Sequence, residues 1–195
     1  SGFVAKRLHM TAKELKDSLA AEQVDGVALA IYNIEMRGKS VIIGDQTGVG
    51  KGRQAAAMIR YGLNAGYLPI FFTDRHTLFS DMYRDCKALD IQSKRPFIVN
   101  AGASIVDFDI EKESDYAEDY ENIWGEDGEI DLDKLEERMM RRYQKEYETV
   151  FKSPSAKELA SIFASGDIPK DTYDYVMITY SQLQGAKKDQ TRLNF

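Results

Sequence analysis

The segment Val41–Arg53, VIIGDQTGVGKGR, constrains this chain more than any other part of it. A β-branched run leads into glycines, then a lysine, then a helix-forming stretch. Glycines let successive backbone N–H groups converge without side-chain obstruction. A helix N-terminus adds free N–H groups and a partial positive charge. Lys51 adds an ammonium suited to the β- and γ-phosphates of a nucleotide. The candidate phosphate-binding residues are therefore Thr47, Gly48, Val49, Gly50, Lys51, Gly52 and Arg53, with Lys51 the candidate catalytic group. The match to GxxxxGK[ST] is incomplete. Asp45 stands where the first glycine is expected, and Gly52 replaces the hydroxyl that helps hold Mg²⁺.

Strands and helices alternate around this segment. Ser40–Gly44 reads as a short buried strand, and Lys51–Leu63 as a helix stopped by Asn64 and Gly66. Leu68–Thr73 is a second strand; its Pro69 sits near the start, where a missing donor is tolerated. Thr77–Leu89 is a helix, Phe97–Val99 a third strand with a short extension at Ser104–Val106, and Tyr175–Thr179 a fourth strand. This alternation predicts an α/β fold with a parallel sheet covered by helices on both faces.

Upstream, Thr11 and Glu14 form a capping box that opens a helix to about Ala21, and a second helix follows near Gln23–Ile34. Downstream, the acids crowd between Asp107 and Asp133, with Lys112 the only base. Asp131–Phe151 has the spacing of one long amphipathic helix, and Ser155–Ala164 of another, closed by Gly166 and Pro169. The predicted organisation is a first part over residues 1–106, an acidic helical insertion over 107–170 and a return to the sheet over 171–195. The insertion is a candidate surface for a protein partner.

Composition excludes several classes. Acids outnumber bases 32 to 26, so a wholly basic nucleic-acid footprint is absent, though a local basic groove is compatible with that balance. One cysteine, Cys86, and two distant histidines, His9 and His76, do not make a zinc site or a histidine-based triad. A calcium loop at Asp107–Glu118 fails because Lys112 occupies the position that needs glycine. No metal ligands are assigned to side chains. No apolar run is long enough to span a membrane, and the opening residues lack the apolar stretch of a signal peptide, so a cytoplasmic location is expected.

GDQTGVGKGR closely resembles the GDGTGVGKGR-type loop of strawberry notch-like proteins, a branch of the superfamily 2 helicases and translocases. Asp after the opening glycine and Gly after the lysine both agree with that branch; Gln46 departs from its usual glycine. LAAEQVDGVALA, residues 19–30, resembles the region where these helicases carry an adenine-reading glutamine, here Gln23. YVMITYSQL, residues 175–183, resembles the strand and turn that precede their Walker B strand. The resemblance covers roughly residues 17–90 and 171–184.

It implies a P-loop NTPase fold of RecA-like type, ATP and Mg²⁺ as ligands, and DNA as a partner of the complete protein. It also implies nucleic-acid contact at Thr73, Asp74, Thr179 and Tyr180, which lie at the ends of predicted strands. An acidic Walker B strand is expected after YVMITYSQL, so the chain is expected to be the first part of such a domain and inactive alone. Two other readings stay open: a nucleotide-binding or interaction module without turnover, and another P-loop phosphotransferase.

Overall fold

The computed structural model describes residues 2–44, 48, 50–112 and 130–183. Three parallel strands form the central sheet: β1 (Ile70–Thr73), β2 (Pro96–Ile98) and β5 (Tyr175–Thr179), in the order β1–β5–β2. The last strand in sequence lies in the middle. Its register places Ile70 opposite Val176, Thr73 opposite Thr179 and Phe97 opposite Val176. All five residues of β5 are buried, as a parallel strand covered on both faces must be.

The two faces of the sheet feed two cores. Tyr175, Met177 and Ile98 join the larger one, with α1 (Gly2–Leu8), α2 (Ala12–Ser18), α3 (Ala21–Tyr32), α4 (Lys51–Asn64) and α5 (Leu78–Ala88). Val176, Ile178 and Phe97 join the smaller one, under α7 (Ala156–Ser165). Period-two alternation along β5 therefore decides which residue meets which layer.

Caps explain several helix limits. Thr11 and Glu14 form the expected reciprocal capping box, and α2 ends at Ser18, earlier than Ala21. Ser155 and Glu158 form a second box at α7, which closes on Gly166 in the left-handed conformation. α3 continues into a wider turn, Asn33–Arg37. α1 had no counterpart in the sequence reading; it is held by Val4 and Leu8, both fully buried, and by Arg7 bridging Glu35 through two nitrogens.

Three expectations are corrected. Ser40–Gly44 is not a buried strand: residues 38–44 run without ladder partners and Ile42 is 94% exposed. None of the three sheet strands pairs with this segment, and a β-branched run without a partner strand forms no ladder. Ser104–Val106 does not extend the parallel sheet. It opens β3 (Ser104–Glu111), which pairs antiparallel with β4 (Tyr147–Lys152) in a separate two-stranded sheet. The long helix predicted to Phe151 stops at Glu146: α6 spans Leu132–Glu146, and YETVFK becomes β4 because β3 offers it a partner.

That hairpin is fastened to α5. The Ser80 hydroxyl accepts from the Val106 N–H at 3.1 Å, the ring of Tyr83 meets Phe151 edge-on, and Lys87 bonds both Asp107 and Asp109 at 2.7 Å. α6 is tied to the start of α5 by Glu136, which faces His76 Nδ1 at 3.0 Å. The acidic stretch at 113–129 lies outside the described residues.

Candidate functional site

The site is assembled where α3, α4 and α5 converge. Gly50 caps α4 with φ +77°, and Gly48 has φ +95°; both are left-handed values that disfavour a side chain. The N–H groups of Arg53 and Gln54 fold back onto the Gly50 carbonyl at 3.0 and 3.4 Å, which starts the helix. Its first turn thus presents backbone N–H groups beside two glycines, the local chemistry of an anion cradle. Lys51 is exposed at the first helical position. Thr47 and Val49, like Asp45 and Gln46, lie outside the described residues.

Gln23 connects this cradle to α3. Its side-chain oxygen accepts from the Ala20 N–H at 3.0 Å, which caps α3, while Nε2 donates to the Gly50 carbonyl at 3.3 Å. The residue predicted to read a base is thus bonded to the residue that caps the phosphate-side helix. A Cβ at Gly50 would overlap Gln23 Nε2 and push that amide aside, while the positive φ itself favours glycine.

Beside Gln23 a cleft of about 510 Å³ opens between α3 and the 41–44 segment. Gly26 and Leu29 of α3, Val41, Ile43 and Gln54 line it, with Glu22 and Asp25 at the same surface. Its size and its mix of aliphatic side chains with amides suit a nucleotide base. Gln54 is 1% exposed, and a Cβ at Gly26 would overlap its Oε1. The sequence reading missed Gly26 and Gln54; a glycine inside a helical pattern was the signal, since it marks a close approach.

Arg53 turns away from the loop. Its Nη1 donates to the Ser18 carbonyl at 3.0 Å and its Nε to Asp85 Oδ1 at 3.3 Å. Asp85, also missed, is carried in by α5 to within overlap of any Cβ at Gly52. The residues present therefore fit a nucleotide: glycines where phosphates need backbone access, a cationic side chain, and a base-sized cleft joined to the loop by one amide.

The predicted nucleic-acid contacts divide. Thr73 and Thr179 are buried, and Thr179 Oγ1 accepts from Asn100 Nδ2 at 2.7 Å while its N–H donates to Asn100 Oδ1. The Thr179–Asn100 pair ties the end of β5 to the residue that follows β2. Asp74 and Tyr180 are exposed, and Tyr180 stacks on Phe72 with ring centroids 5.9 Å apart. Asn100 was not anticipated, although a polar residue closing the run FIVN at a strand's carboxyl end was visible.

Burial, more than function, governs the perturbed titrations nearby. The Cys86 thiol is pushed up to about 12 by burial in the core, and the Tyr175 phenol is raised for the same reason. Among the described residues no cluster of three metal-ligating side chains occurs, and no helix is long and apolar enough to cross a membrane.

No curated protein and no solved structure matches the chain. The model of the family described as P-loop containing NTP hydrolase pore-1 matches residues 4–119, more than half of the sequence, including the Gly50 cap, Gln23 and the cleft beside it but not Thr179 and Tyr180. The glycine-capped α4, the lysine at its start and this match agree, and the chain belongs to the P-loop containing NTP hydrolase pore-1 family.

Proposed function

We propose that this chain is the ATP-binding part of a nucleic-acid motor of the strawberry notch-like superfamily 2 type. The observation that carries the reading is the Gln23 amide. It lines the cleft and bonds the Gly50 carbonyl, so a base in the cleft and phosphates on the loop are sensed by one side chain. ATP lies with its base against Gly26 and Leu29 and its phosphates over Gly48, Gly50 and Lys51. Mg²⁺, when bound with the nucleotide, neutralises phosphate charge; the chain supplies orientation and backbone donors. The nucleic-acid side is supported by Tyr180, 56% exposed and backed by Phe72, just past the carboxyl end of the central strand. Open parallel sheets take ligands at that end, and exposed aromatics are platforms for bases.

The test is calorimetric titration of ATP and ADP with Mg²⁺ into the chain and into Lys51→Ala, paired with titration of a fluorescent single-stranded oligonucleotide into Tyr180→Ala. Lys51→Ala is expected to weaken nucleotide binding at least tenfold and Tyr180→Ala to weaken only the oligonucleotide, each contact being worth about 1–3 kcal/mol. Nucleotide binding that ignores Lys51 overturns the phosphate assignment. Nucleotide binding without any oligonucleotide binding favours a module without motor activity.

A further inference from the structure

Gly52 occupies the position that carries a Ser or Thr in the common phosphate-loop pattern, and the structure shows what stands in the vacated space. A Cβ placed on Gly52 would overlap Asp85 Oδ2, with Asp85 Cγ 3.3 Å away. A serine or threonine there would project its hydroxyl into the same volume. The position therefore has a polar oxygen after all, delivered by α5 instead of α4. The Asp85 side chain is mostly buried, with 13% of it exposed. Arg53 Nε bonds Oδ1, and Oδ2, the oxygen over Gly52, accepts no hydrogen bond among the described residues.

Arg53 offsets the Asp85 charge from the Oδ1 side, while Oδ2 faces the phosphate cradle, where a bound phosphate would repel it unless a cation came between. Mg²⁺ is the cation that bridges such groups: it takes one or two carboxylates, water and phosphate oxygens, without a dedicated protein cage. Resting on the nucleotide reading above, we propose that Asp85 is the protein oxygen for the divalent cation that accompanies the nucleotide, doing the work of the absent hydroxyl. Arg53, itself tethered to the Ser18 carbonyl at 3.0 Å, holds the carboxylate in place through Oδ1.

The experiment is calorimetric titration of ADP, with Mg²⁺ and with EDTA, into the wild-type chain, Asp85→Asn and the double variant Gly52→Ser/Asp85→Ala. Thermal unfolding of each variant is run alongside. The wild type should bind ADP about tenfold tighter with Mg²⁺, a coupling of ordinary size. Asp85→Asn should keep or slightly tighten metal-free ADP binding, because a charge that repels phosphate is gone, and should lose most of the Mg²⁺ effect. The double variant, with room made for a hydroxyl at its usual place, should regain it. Mg²⁺ alone should give no heat of binding. Equal weakening of ADP with and without Mg²⁺ in Asp85→Asn would mean that Asp85 only packs the helices, and an intact Mg²⁺ effect in that variant would likewise overturn the proposal. Failure of the wild type to bind ADP under either condition would overturn the nucleotide reading itself, and this inference with it.

Discussion

Gly50→Ala separates the conformational role of the loop from its contacts. At φ +77° an L-residue pays roughly 1–2 kcal/mol relative to glycine. The new methyl would also overlap Gln23 Nε2, which must leave the Gly50 carbonyl it now bonds at 3.3 Å. A partly buried amide bond of that length contributes about 0.5–1 kcal/mol. The sum is about 1.5–3 kcal/mol. Where it is felt depends on whether the loop can relax. The unliganded protein can release strain by letting the first turn of α4 fray, since helix ends open at little cost. A bound nucleotide cannot allow that, because the N–H groups must converge. The expected result is a loss of MgADP affinity of about tenfold to a hundredfold, at 1.4 kcal/mol per decade. The accompanying fall in melting temperature should stay below about 6 °C, given about 2–4 °C per kcal/mol at this chain length. Calorimetry and a thermal melt on one preparation measure both. Gly50→Asn, which tolerates the left-handed region better, should lose less affinity than Gly50→Ala. MgADP affinity within twofold of wild type in Gly50→Ala would refute the argument that the left-handed cap shapes a phosphate site.

Lys87→Met removes the cation that Asp107, 7% exposed, and Asp109 share, and should cost about 1–3 kcal/mol, less than a fully buried pair because Lys87 stays 29% exposed. Hydrogen bonds to Asp107 and Asp109 hold the Lys87 ammonium above its ordinary range. Its contribution is therefore complete below about pH 10 and lost as the pH rises past that, so the gap in melting temperature between wild type and variant should shrink in strong alkali. Cys86 is fully buried with its thiol pushed up to about 12, so a thiol reagent at pH 8 should label it only at the rate of unfolding; fast labelling of the native protein would contradict its placement. Ser155→Ala, which breaks the reciprocal box with Glu158, should destabilise by about 1 kcal/mol, read by urea denaturation.

The local chemistry of the chain was enough to set several features. The glycines and lysine of the loop start α4 at Lys51; Thr11 with Glu14 and Ser155 with Glu158 cap α2 and α7; and YVMIT is a buried strand with the limits its apolar run suggests. Each is decided by residues within a few positions of one another, through φ preference, capping bonds or hydrophobic run length. Tertiary structure decided the rest. Ser40–Gly44 has strand composition but no strand beside it, so Ile42 stays in solvent, while YETVFK continues a helical period yet pairs with β3 from some forty residues upstream. The order β1–β5–β2, with the last strand in the centre, is a matter of long-range pairing that no local pattern encodes. Asp85 over Gly52 and the Gln23 amide on Gly50 are the same kind of fact. Backbone and side-chain groups must find partners wherever the packing of helices brings them, and a residue more than twenty positions away in sequence leaves no trace in the local pattern.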